Sequence, residues 1–123
     1  MRPGLCRGAC VNTHTLSAAA ERARLSPHQV RIYVDMGLLH ACATTPGGYR
    51  LFDERCVERL KLIKACRDAQ ISLADIAEFL RSLDGSDRAR CKAAERLLKA
   101  RIRDRRQALA RCACALAVAQ PGT

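Results

Sequence analysis

One continuous stretch, residues 26–53, limits the folds open to this chain more than any other part of the sequence. Ser26 is a favourable N-cap, Pro27 fits the first helical position and Gln29 completes a capping box, so a short helix begins here. Gly37 supplies the left-handed residue that ends the helix. A capped helix followed by a two-stranded wing predicts a winged helix-turn-helix. The wing consists of two strand-like runs around a tight turn: His40–Thr44, Pro46-Gly47-Gly48 and Tyr49–Phe52.

Further helices are predicted on both sides of this stretch. Thr15 or Ser17 can cap an alanine-rich first helix that ends near Arg24. Arg24 then occupies a turn position where glycine would be the easier choice. Two helices follow the wing, and Ser72 with Asp75 predicts a capping box at the start of the second one. The fold class expected from these signals is mainly α.

The last third of the chain predicts a single long helix, because residues 87–120 contain neither glycine nor proline. A helix this long with so little apolar surface is not expected to be stable alone. We therefore expect a homodimer held by an antiparallel coiled coil. The domains expected are a non-native or disordered extension at 1–10 with Val11 as the true start, a winged helix-turn-helix domain at 11–83, and a dimerisation helix at 87–120. The seam alternates at spacings of four and three: Leu98, Ile102, Arg105, Leu109, Cys112, Leu116 and Ala119. Extending this seam upstream places Cys91 in it.

The charge of the chain favours polyanionic partners, but it is unevenly distributed. Formal net charge is +10, with a pI near 9.7. Residues 87–111 hold ten Lys and Arg against three Asp and Glu, a net of +7, whereas residues 11–52 carry only +2. The basic helix therefore presents either a solvated face or a contact surface for an acidic partner or flanking DNA. No apolar run reaches the length of a membrane span or signal peptide, so a cytoplasmic protein is expected.

The residues that could support chemistry form no catalytic or zinc-binding motif. Eight cysteines are present without a CxxC pair, and four lie within helical patterns, which argues against a disulfide scaffold: Cys56, Cys66, Cys91 and Cys112. Three scattered histidines, with no nucleophile motif and no phosphate-binding loop, give no support to an enzyme.

The order of elements and the wing sequence PGGYRLFD resemble the MerR family of bacterial transcriptional regulators over residues 13–120. Within that family, TPGGYRLFD and the start VNTHTL are most similar to the mercury-resistance coregulators. The resemblance implies a dimer that binds the promoter of the mercury-resistance operon and lowers its expression in opposition to the activating MerR protein. MerR and RNA polymerase are then further candidate partners.

The resemblance also implies which residues contact DNA. Arg31, Tyr33 and Arg50 match positions that contact phosphates in the family, and such contacts position a protein without reading bases. Two further residues, Gly48 and Tyr49, shape the wing. Two more lie where first- and second-helix contacts occur in the family: Ser17 and His28.

A metal site is a secondary expectation from the same resemblance. Cys91 matches the first metal-sensing cysteine of the family, and an antiparallel pair centred on Ile102 sets it opposite Cys112 of the second chain. Two thiolates suit a soft metal such as Hg(II), although idle thiols are the alternative. The main hypothesis requires no cofactor. Its alternatives are a metal-responsive MerR-type activator and a soft-metal or thiol-binding protein.

Overall fold

The computed structural model describes residues 12–120, so the predicted extension at 1–10 and the predicted start at Val11 lie outside the described chain. A mainly helical winged helix-turn-helix with a long C-terminal helix is confirmed. No helix within residues 12–120 is both long and apolar enough to cross a membrane. The elements in order are β1 (His14–Thr15), α1 (Leu16–Ala23), α2 (Pro27–Asp35), β2 (Ala43–Thr44), β3 (Arg50–Phe52), α3 (Glu54–Asp68), α4 (Leu73–Asp84) and α5 (Arg88–Val118).

Side-chain caps determine where α1 and α2 begin. Thr15, one of the two predicted caps, accepts a hydrogen bond from the amide of Ala18. Ser26 and Gln29 form the predicted capping box, with bonds of 3.0 and 3.1 Å between each side chain and the other residue's amide. Arg24 takes the left-handed conformation, at φ 61°, which the sequence anticipated for this turn.

The wing belongs to a three-stranded antiparallel sheet in the order β1-β3-β2. The sequence predicted longer strands for β2 and β3. The two strands pair only at Thr44 with Arg50 and at the residue pair next to them. One more cross-strand bond, from the amide of Thr45 to the carbonyl of Tyr49 at 2.8 Å, continues this register into the turn. The strand β1 was not expected from the sequence, and it places His14 opposite Phe52.

The described chain divides into two compact units, one up to Asp68 and one from Ala69. The domain division expected from the sequence, at residues 83–87, stays a prediction. In the first unit, small side chains of α1 let α2 and α3 approach it closely, since three of its alanines are buried. The core of this unit contains Ala19, Ala20, Ala23, Val30, Leu38, Leu39, Phe52, Val57, Leu60 and Ile63.

The second unit pairs α4 with the first half of α5. The start of α4 differs from the predicted capping box, because Ser72 accepts from the amide of Ala74 while the Asp75 carboxylate accepts from Arg101 at 3.0 Å. Arg90 donates to Glu78 at 2.7 Å near the other end of α4. The buried residues between the two helices include Ile76, Ala77, Leu80, Ala94 and Leu98.

Two of the eight predicted seam residues of α5 are already engaged within the chain. Leu98 is buried within its own unit. Arg105 turns back to its own chain and donates to the carbonyl of Ala69 at 2.9 Å and to Gln70 at 3.0 Å. Beyond it, Leu109 and Leu116 are largely exposed.

Candidate nucleic-acid interface

The helix α2 is held so that one side packs and the other faces solvent. Val30 is fully buried and Tyr33 is only 8% exposed, whereas Arg31 between them is exposed. Gly37, at φ +80°, lets the chain turn back after the helix. The result is a short, firmly capped helix that presents Arg31 at the surface.

The wing presents an aromatic side chain and a cation at its tip. The turn is closed by bonds from the amide of Gly48 to the carbonyl of Thr45 (2.8 Å) and from the amide of Tyr49 to Thr45 Oγ1 (3.1 Å). Gly48 has φ +90°, a conformation that side-chain-bearing residues rarely adopt. Tyr49 is therefore held 73% exposed, next to the exposed Arg50.

These elements meet around one open hollow of about 480 Å³, which we call the wing hollow. It gathers the start of α1, the second half of α2 and the tip of the wing. Five of the seven predicted DNA-contact residues line it, which the sequence spacing alone could not establish. Its lining comprises Thr15, Leu16, Ser17, Arg31, Val34, Asp35, Gly48, Tyr49 and Arg50.

The charges around the wing hollow suit an anionic ligand. Arg31 and Arg50 are cations that can bind a phosphate, and the N-terminus of α1 adds partial positive charge. Asp35 is the one carboxylate among the lining residues and opposes that charge. Sequence reasoning missed Thr15 and Asp35 as parts of this surface, although Thr15 had already been recognised as a candidate cap.

The other two predicted contact residues lie outside the lining of the wing hollow. His28 is exposed in the first turn of α2, where it remains free to contact DNA elsewhere. Tyr33 is nearly buried and packs as part of the core. A phosphate contact at Tyr33 would therefore fall to its hydroxyl alone.

A second hollow, of about 510 Å³, lies between the end of α1 and α3 but suits an anion less well. Its cations are largely matched by carboxylates: Arg22 pairs with Glu54 at 2.9 Å, Lys64 with Asp68 at 3.2 Å and Lys61 with Glu58 at 3.6 Å. Its lining residues are Arg22, Ala23, Arg24, Lys61, Lys64, Ala65 and Asp68.

The predicted metal site involves two of the cysteines that the structure describes. No group of three or more His, Cys, Asp or Glu residues suited to a metal occurs in residues 12–120. Cys91 and Cys112 stand 21 positions apart on α5, about 31 Å along the helix. A site that uses both therefore needs a second chain. Burial raises the pKa of the Cys56 and Cys66 thiols, which makes them poor ligands.

Comparison with known proteins decides the family. The family model described as "MerR HTH family regulatory protein" matches residues 14–83, and that described as "MerR, DNA binding" matches residues 57–115. The chain belongs to the MerR family.

Individual MerR-family relatives narrow this assignment. An "HTH-type transcriptional regulator MerD" from Pseudomonas aeruginosa is 40% identical over 100 residues, which cover 81% of this chain and 83% of the relative. The "Mercuric resistance operon regulatory protein" of Shigella flexneri is 31% identical, over 78% of this chain and 65% of that protein. The chain is thus a MerD-like DNA-binding transcriptional regulator of the MerR family.

A solved structure supports the fold independently. HiNmlR, described as a MerR family regulator lacking the sensor domain and bound to promoter DNA, has a TM-score of 0.72 with this chain. The match covers 85% of this chain and 79% of HiNmlR, at 24% sequence identity. At that identity the likeness bears on the fold alone.

Proposed function

We propose that this MerR-family protein binds the promoter of a mercury-resistance operon as a homodimer and lowers its expression in opposition to MerR. The observation that carries the proposal is the wing hollow, because residues from α1, α2 and the wing converge there with two exposed arginines. Relatives named MerD and a mercuric resistance operon regulator support the choice of operon. The domain at 11–83 would read DNA and the helix at 87–120 would dimerise.

In this proposal the seven residues have separate roles. Arg31 and Arg50 bind phosphates across the wing hollow. Gly48 and Tyr49 hold the wing against the DNA backbone. Phosphate contacts fix the register of a protein on DNA, whereas sequence is read at base edges. Ser17 contacts DNA from the first helix, and His28 is the candidate base contact. Tyr33 contacts DNA through its hydroxyl.

The proposal requires neither catalysis nor a cofactor. RNA polymerase and MerR are proposed partners at the promoter, where a repressor must interfere with one or the other. An Hg(II) site made by Cys91 and the second chain's Cys112 stays a separate prediction. If this site exists, Cys91→Ser would change the response of the protein to Hg(II). If the protein is a coregulator without a metal sensor, Cys91→Ser would leave its function unchanged.

The test is a fluorescence anisotropy titration of the mercury operator against a scrambled duplex, at one fixed salt concentration. The wild type should prefer the operator, with or without Hg(II). Arg31→Ala and Arg50→Ala should each weaken operator binding and reduce the slope of log affinity of the dimer against log salt by about 2, as expected when each of the two chains loses one phosphate contact. Arg111→Ala, which removes an exposed cation from α5, is the matched control.

The same titration is repeated with MerR present. A preference that appears only with MerR would support a shared complex on the operator. A preference that Hg(II) alters would favour the metal-responsive activator instead. Equal binding to both duplexes, with and without MerR, would contradict the proposed function.

A further inference from the structure

Six cations form a continuous row along one side of α5, which we call the basic stripe. Their spacing of four, four, three, four and three keeps them within a sector of about 80° at 100° per residue, over about 27 Å of helix. Each of the six is exposed. The basic stripe consists of Arg88, Lys92, Arg96, Lys99, Arg103 and Arg106.

The basic stripe is not used to hold the protein together. In residues 12–120, Lys99 is the one stripe residue with an ion pair, to Glu95 at 3.2 Å. Three cations that lie off the stripe do bind other elements of the chain: Arg90 and Arg101 donate to α4, and Arg105 donates to Ala69 ahead of α4. Among the described residues, no stripe cation pairs with a residue outside α5.

A face that merely kept the protein in solution would gain from mixed charges. Here Arg88 and Lys92, Lys92 and Arg96, and Lys99 and Arg103 stand four residues apart. Like charges at this spacing destabilise a helix. A ligand that lies along the stripe and carries regularly repeated negative charges would remove that repulsion.

The proposed homodimer would enlarge this surface, and the inference rests on that part of the proposed function. A two-fold axis that relates two antiparallel helices keeps the same flank of each helix on the same side of the pair. Lys92, Lys99 and Arg106 each directly follow a seam residue and so belong to one flank. Whatever the register, the two basic stripes would then lie on one side of the dimer.

From this arrangement we infer that the basic stripe of α5 is a second DNA-binding surface, which takes the phosphate backbone of duplex DNA without regard to sequence. Duplex DNA carries one negative charge per about 1.7 Å of its axis, so it can match an extended row of cations that a single acidic side chain could not. Base contacts from the helix-turn-helix, with His28 as the candidate, would supply preference for the operator. The stripe would supply sequence-independent affinity.

The test uses the full chain and a long duplex of scrambled sequence. Replacing three stripe residues (Lys92→Gln, Arg96→Gln and Arg103→Gln) should weaken binding to this duplex at low salt by at least about tenfold. It should also reduce the slope of log affinity against log salt by about 2 to 3 for each chain of the dimer that contacts the duplex. Circular dichroism and sedimentation should show that the triple variant keeps the helix content and association state of the wild type.

Single variants provide a matched comparison on the same helix. Arg103→Gln should reduce the salt slope by about 1 for each chain of the dimer that contacts the duplex. Arg111→Gln removes an equally exposed arginine that lies outside the stripe, and it should leave the slope unchanged. Equal effects of the two substitutions would indicate a general charge effect and would overturn the inference.

The outcomes separate this inference from the proposed function. The triple variant should keep the ratio of operator to scrambled affinity, because that ratio depends on base contacts made by the helix-turn-helix and not on α5. Unchanged affinity for the scrambled duplex would overturn the inference while leaving operator recognition intact. A triple variant that binds both duplexes normally but no longer associates with RNA polymerase would also overturn it, because the occupant would then be an acidic protein.

Discussion

Arg24 carries the clearest local strain among the residues of the helix-turn-helix. It has φ 61°, and its amide donates to carbonyls near the end of α1, including that of Glu21 at 3.1 Å. A residue with a side chain pays about 1–2 kcal/mol for this left-handed conformation. Glycine does not, although it loses more backbone freedom on folding. The sharp turn between α1 and α2 is thus made at some cost to stability.

Replacing Arg24 by glycine should therefore stabilise the protein relative to its alanine variant. Arg24→Gly and Arg24→Ala both remove the exposed side chain, and they differ mainly in the cost of the left-handed backbone. We expect the free energy of unfolding of Arg24→Gly to exceed that of Arg24→Ala by about 0.5–1 kcal/mol. Urea denaturation of the two variants measures the difference. Equal stabilities would show that the turn relaxes when the side chain is removed.

At the scale of elements, Glu54 connects three parts of the first unit. It is the first residue of α3, and it accepts hydrogen bonds from Arg22 of α1 at 2.9 and 3.2 Å. His14 of β1 lies 2.6 Å from the same carboxylate. The hydrogen bond from Arg22, followed by that from His14, lowers the pKa of Glu54 to about 2.

This contact predicts a specific acid dependence. Because the pKa of Glu54 is lower in the folded state than its ordinary 4.5, the contact stabilises the protein above about pH 4.5, and the contribution is lost as pH falls toward 2. Arg22→Gln should raise the pKa of Glu54 toward 4.5. The free energy of unfolding should then depend less on pH between about 2 and 4.5.

The measurement is an NMR titration of the Glu54 carboxyl, combined with denaturation at a series of pH values. Lys64→Gln serves as the control, since it breaks the exposed Lys64–Asp68 pair on the same helix and should leave the pKa of Glu54 unchanged. A pKa of Glu54 that is the same in the Arg22→Gln variant and the wild type would contradict the role assigned to Arg22.

The elements also show which features a sequence can predict. The capping box of Ser26 and the left-handed Gly37 are local interactions, so neighbouring residues were enough to predict them. The strand β1 was missed because two residues carry no alternating pattern, and it exists only through its pairing with β3. Arg105 fitted the heptad spacing, yet spacing does not distinguish a seam between chains from a face that packs within one chain.

The candidate site also combines local features, which the sequence can predict, with features that depend on packing between elements. The wing turn around Gly48 is local, and the sequence predicted it. The convergence of Ser17, Arg31 and Arg50 on one hollow depends on how α1, α2 and the wing pack together. The burial of Tyr33 likewise depends on that packing. The residue types could thus be proposed from the sequence, but their grouping could not.

At the scale of the whole molecule, the exposed apolar residues near the end of α5 bear on the proposed homodimer. Leu109 is 68% exposed and Leu116 is 64% exposed, and both lie on the seam beyond Arg105. Val118 is 85% exposed on the opposite side of the helix. If the seam residues pair with a second copy, removing their apolar surface should separate the chains, whereas the same change at Val118 should not.

The last prediction is therefore that Leu109→Gln combined with Leu116→Gln converts a dimer into a monomer, whereas Val118→Gln leaves the dimer intact. Glutamine keeps a good helix propensity, so the helix itself should persist. Sedimentation velocity measures the association state. Operator affinity should fall about 100-fold or more in the double variant, because two linked readers gain affinity through their effective concentration. A double variant that still sediments as a dimer would place the interface elsewhere on the chain.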